Sequence, residues 1–186
     1  MKYILILILL ICFNSFAKEQ HHDHNDQHDF HNNETSKKKS LKAHEHGVSI
    51  LNIAQDENIL KFEFEMPGFD VVGFEYEAKK KEDVKKVKNA ISILSNYKNM
   101  FSLPNEAGCN IISDFADVDY EGSHSEFASN YTFNCKKITE IKIIEILYFN
   151  SFENSKKLNV DIVSKNKKIS LKKNKAESYL NVEGYF

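Results

Sequence analysis

Eleven consecutive residues, His21 to His31, carry the densest chemistry in this chain. They hold five of its eight histidines (His21, His22, His24, His28, His31) and three aspartates (Asp23, Asp26, Asp29). Neutral imidazole is the commonest protein ligand for zinc, nickel and copper. A tract this rich in it reads as a metal-gathering segment. A second group follows at His44-Glu45-His46-Gly47. In an extended segment, side chains at i and i+2 point to the same side, so His44 and His46 can grip one ion together. Gly47 removes a side chain and lets backbone approach closely. Two solvated histidines would look the same. What raises the value of this pair is its position between the histidine-rich arm and the first apolar strand. His124 lies in a polar loop, Glu121 to Glu126, where a plain surface histidine is the alternative. Glu75 and Glu126 are candidate oxygen donors.

The compartment decides which metal chemistry these residues meet. Met1 to Ala17 has the three parts of a secretory signal: Lys2, the apolar run Tyr3 to Phe13, and the cleavage site Ser15-Phe16-Ala17. The run falls short of the roughly 20 apolar residues a spanning helix needs. Ile11 before Cys12 does not suit a lipoprotein signal, and no later segment is apolar and long enough to cross a membrane. The chain is thus expected to be exported to the periplasm, with its mature part starting near Lys18. Cleavage leaves Cys109 and Cys135. An even pair in an oxidising compartment suggests a disulfide, worth about 3.5 kcal/mol in the chain-entropy account. Two thiolate metal ligands are the alternative, which the absence of a C-x-x-C spacing disfavours.

Composition narrows the partners. Of the 25 basic residues all are lysine; removing Lys2 leaves 24 against 27 acids, a net charge of −3. This balance gives no footprint for nucleic acid. The lack of arginine disfavours bidentate recognition of phosphate or carboxylate. No H-E-x-x-H helix motif and no G-x-S-x-G motif occurs.

Three parts emerge along the chain: a signal peptide (1–17), a disordered His/Asp-rich arm with a lysine-rich linker (18–42), and an α+β domain (43–186). The arm lacks the aliphatic residues needed to offset the entropy of ordering it. Its lysine run, Lys37 to Lys39, is read as solvated linker. Within the domain, Val48 to Ala54 and the alternating Leu60, Phe62, Phe64 and Met66 predict a hairpin that Pro67-Gly68 ends. Val71 to Tyr76 predicts a short third strand. Val84, Val87, Ile91 and Leu94 form one apolar stripe, which predicts a helix within Lys79 to Phe101. Strands are expected at Cys109 to Ser113, at Phe127 to Cys135 and at Ile138 to Phe149. A late hairpin is expected at Leu158 to Val163 and Lys168 to Leu171. The expected class is α+β: a mainly antiparallel sheet with one long helix packed on it.

Several of these residues, taken in order, resemble the ZrgA family of periplasmic zinc-uptake proteins. They are His44-Glu45-His46-Gly47, Pro67, Val72-Gly73-Phe74-Glu75, Ala107-Gly108-Cys109, and His124-Ser125-Glu126-Phe127 with Tyr131, Phe133 and Cys135. The resemblance runs from about Ala43 to Leu180. It implies an exported protein that binds zinc and hands it toward an inner-membrane importer or that importer's binding protein. Two features depart from the family pattern. The histidine-rich stretch stands here as an N-terminal arm, and Tyr76 follows Gly-Phe-Glu where the family places histidine.

The residues alone reach as far as an exported metal binder, with His44, His46 and His124 as core ligands completed by a carboxylate or water. Zinc is the expected ion, while imidazole suits Cu2+ and Ni2+ as well. Two alternatives stay open: a small exported zinc-dependent hydrolase, and a non-catalytic adhesion or signalling module with a histidine-rich spacer.

Overall fold

A computed structural model describes residues 45–165 and 167–186. The expected signal peptide, the expected lysine-rich linker, the arm histidines His21, His22, His24, His28 and His31, and His44 lie outside the described residues.

The alternation seen in sequence becomes a hairpin. Strand β1 (Val48–Asp56) pairs antiparallel with β2 (Ile59–Pro67), with Leu51 opposite Phe64 and Ile53 opposite Phe62. Strand β5 (His124–Cys135) continues the sheet beyond β2, and β4 (Cys109–Glu121) pairs antiparallel with β5 as the edge. On the other side β7 (Lys157–Ser164) runs parallel to β1, and β8 (Lys167–Lys173) forms the second edge. The order is β4-β5-β2-β1-β7-β8. A smaller sheet joins β3 (Phe101–Ser102), β6 (Ile143–Ile146) and β9 (Tyr179–Asn181) in the order β3-β6-β9.

The core lies on one face of the large sheet. Leu60, Phe62, Phe64, Met66, Phe127, Tyr131 and Phe133 are all buried there. Phe101 of the small sheet stacks on Phe62 at 3.9 Å and meets Tyr131 and Phe133 edge-on. It therefore ties the two sheets together, and deleting such a ring from a core ordinarily costs about 3–5 kcal/mol. Helix α2 (Lys81–Leu94) buries Ala90 and Leu94, and the Leu94 carbonyl accepts a hydrogen bond from the Tyr131 hydroxyl. Burial pushes that hydroxyl's pKa well up, so it stays protonated as a donor.

The expected architecture needs correcting. The described residues form two sheets and three short α-helices, not one antiparallel sheet under one long helix. The helix stops at Leu94, because the Ser95 hydroxyl turns back to the Ile91 carbonyl and Asn96 starts a separate 3-10 turn. The segment expected as a third strand holds only the last two residues of α1 (Gly68–Val72) and then a loop. Ile138 to Phe149 divides into a 3-10 turn, β6 and the start of α3 (Tyr148–Ser151). There the amides of Leu147 and Tyr148 both donate to the Met100 carbonyl, which bends the chain away from β6. The parallel β1–β7 pair also departs from the expected antiparallel pattern.

The cysteine pair is bonded. Cys109 and Cys135 stand directly opposite each other in the β4–β5 register and form a disulfide. The thiolate-ligand alternative is set aside in this structure. Among the described residues, no helix is long and apolar enough to cross a membrane.

Candidate metal centre

Three segments distant in sequence meet at the end of the large sheet where β1 begins and β2 ends. His46 precedes β1, Glu75 follows α1, and His124 opens β5. The Nε2 of His46 lies 3.0 Å from Oε1 of Glu75. The Nδ1 of His124 lies 2.8 Å from Oε2 of the same carboxylate. The Glu75 side chain is only 11% exposed, whereas His46 and His124 are 53% and 59% exposed. A shielded carboxylate therefore holds two imidazoles whose rings remain open to solvent.

Local sequence explains why these segments converge. At Gly68 an added Cβ would fall 1.9 Å from the Ser125 hydroxyl and 2.8 Å from the Phe74 carbonyl. Only glycine lets the start of α1 lie so close to the residue after His124 and the residue before Glu75. Gly47 has φ +84°, a backbone that side-chain-bearing residues rarely adopt. Its N–H donates to Oδ1 of Asp70 at 2.6 Å. The ring of His46 stacks on Phe69 at 4.7 Å with 12° between planes. Helix α1 thus grips His46 and Gly47, through Phe69 and through Asp70.

Asp70 is buried within a hydroxyl network. Ser49 donates to its Oδ2 at 3.0 Å and lies 2.7 Å from the hydroxyl of Tyr148. Burial raises the Asp70 carboxyl above its ordinary range. The Gly47 amide, the Ser49 and Ser155 hydroxyls and the nearby His46 partly oppose that rise. Ser155 sits against the same group without a full hydrogen bond to a described atom. Burial likewise pushes the Tyr148 hydroxyl up.

Of the residues singled out in sequence, His46, Glu75 and His124 are brought together. Glu126 lies two residues along β5 from His124, opposite Pro67 and Asp119 in register. His44 and the arm histidines lie outside the described residues. Tyr76 stacks on Phe74 at 4.6 Å and donates to Asp83 of α2 at 3.1 Å. Its hydroxyl is thus used as a structural anchor to the helix. Asp70, Ser49, Phe69 and Tyr148 were not singled out beforehand. The one signal for them was an acid, Asp70, embedded in the apolar run Gly68 to Val72.

Among the described residues, no group of three or more His, Cys, Asp or Glu side chains already stands in metal-holding geometry. The ring-to-carboxylate distances are those of hydrogen bonds, longer than the roughly 2.0–2.2 Å of zinc–nitrogen and zinc–oxygen bonds. The donor types nevertheless suit zinc, which takes imidazole nitrogen and carboxylate oxygen. Binding needs each coordinating nitrogen unprotonated, so an entering ion would compete there with protons.

A family model described as the ZrgA family zinc uptake protein matches residues 43–182. The match covers most of the chain, which therefore belongs to the ZrgA family of zinc uptake proteins. No curated protein was found to match it.

Proposed function

We propose that the protein is exported to the periplasm, captures or buffers Zn2+ there, and supports its uptake across the inner membrane. The observation that carries this is the convergence of His46 and His124 on the two oxygens of Glu75. In this reading Glu75, His46 and His124 form the core site, with His44 proposed as a third imidazole. Glu126 is a further oxygen donor beside His124. The arm histidines, His21 to His31, collect ions loosely and raise their concentration near the core. The role is carriage, not catalysis, and the receiving partner is an inner-membrane zinc importer or its binding protein.

The domain is taken to start near residue 43, so removing Glu19 to Lys39 should leave the fold intact. In that shortened protein, calorimetric zinc titration should give one tight equivalent. His46→Ala or His124→Ala should weaken it by about an order of magnitude or more, since even the loss of a residue supporting a ligand commonly costs about 10–100-fold. Unchanged affinity in both variants, with native circular dichroism, would remove the proposed site.

A further inference from the structure

We propose that the outer face of the six-stranded sheet is the contact surface of a two-fold homodimer. The acidic strands of one copy lie over the basic strands of the other. This face presents the residues that alternate with the buried core positions. On β4, β5 and β2 they include Asp117, Asp119, Glu126, Glu63 and Glu65, with Lys61 as the opposing charge. On β7 and β8 they include Lys157, Lys168 and Lys172, with Asp161 as the opposing charge. One row of the register shows the pattern: Asp117, Ala128, Glu65, Ile50, Asn159, Lys172. It runs from negative at one edge to positive at the other, with an isoleucine between them.

A surface divided in this way matches itself in one arrangement. A two-fold axis parallel to the strands brings β4 of the second copy over β8 of the first and preserves the rows. Asp117 then faces Lys172 of the other copy. Asp161 faces the neutral Asn130. An axis across the strands would instead place β4 on β4 and oppose like charges. Exposed apolar side chains lie among the charges: Ile50 is 38%, Val163 45% and Phe115 55% exposed. On the strands themselves the charges are separated by side, while Glu45 and Glu177 border Lys157 and Lys172 from flanking segments.

The available area sets the strength. At about 4.8 Å between strands and about 3.4 Å per residue, six strands of about seven residues give about 700 Å2 per copy. That is slightly below the roughly 800 Å2 per partner of a standard stable interface. The dimer should therefore be weak and sensitive to salt.

Analytical ultracentrifugation tests this, with chelator present so that bridging metal ions cannot join copies. At about 100 μM protein and low salt the parent should sediment largely as a dimer, and about 0.3 M salt should weaken association several-fold. Asp117→Lys and Lys172→Glu should each sediment as monomers, because each sets like charges together twice. Mixed in equal amounts, the two variants should form a heterodimer. The two reversed sides then meet each other, and the two unreversed sides meet as before. Misfolding cannot produce that recovery. A parent that stays monomeric at low salt, or a mixture that fails to associate, overturns the proposal. The same holds if association persists in both variants alone, since a different surface must then be responsible.

Discussion

The two ends of β5 are closed in different ways. At Cys135 the strand is fixed covalently to Cys109, its direct partner in the register. At His124 it is held by a hydrogen bond to Glu75, which also holds His46. The first closure confines the chain and leaves nothing for a ligand to enter. The second consists of two exposed rings on one shielded carboxylate, supported from behind by Asp70, Ser49 and Phe69. In the proposed reading, zinc would exchange with protons at this end of the strand. On that reading, rigidity and ligand exchange fall at opposite ends of one strand.

Breaking the covalent end should have the largest effect on stability and little on zinc. Cys135→Ser should cost about 2–4 kcal/mol, the usual range for a lost disulfide. Chemical denaturation would measure it. At room temperature the folded variant should still bind zinc with near-parental affinity. A large loss of zinc affinity in this variant, with the fold retained, would mean that the two ends are not independent.

A smaller change at the other end should couple stability to zinc. Gly68→Ala places a methyl group against Ser125 and Phe74, the neighbours of His124 and Glu75. Overpacking of this kind typically costs about 1–3 kcal/mol. Because the strain spreads into both neighbours, zinc affinity should fall along with the melting temperature. A lower melting temperature with unchanged affinity would show that α1 does not position the site.

The smallest effect concerns pH. Burial raises the Asp70 carboxyl above its unfolded value of 3.8. Its stabilising contribution is therefore complete below that value and is lost as pH rises through the raised folded one. Asp70→Asn cannot ionise. Thermal melts should show the variant gaining on the parent as pH rises from 3.8 through the raised folded value, whatever the offset at low pH. A gap that stays constant across that range would mean that Asp70 is not held in a costly environment.

Sequence patterns disclosed some of these elements and missed others for physical reasons. The β1–β2 hairpin and β5 were legible because one face of each is buried, which enforces a period of two. The α2 stripe was legible likewise, but its end was not, since Ser95 and Asn96 stop it through local hydrogen bonds. Strand β4 extends to Glu121, far beyond the expected Ser113, because an edge strand exposed along most of its length needs no continuous apolar face. The parallel β1–β7 pair leaves no mark on alternation at all. At the site, His46, His124 and Glu75 were legible by residue type. Asp70 was not, because an acid in an apolar run declares its use only once Gly47 and Ser49 are seen beside it.

The central claim is that one ion is shared by His46 and His124. Residue-resolved NMR of the histidine rings, followed during zinc titration of protein lacking Glu19 to Lys39, tests this most directly. The resonances of His46 and His124 should shift together and saturate at one equivalent. A shift in only one ring, or saturation at different equivalents, would contradict the account.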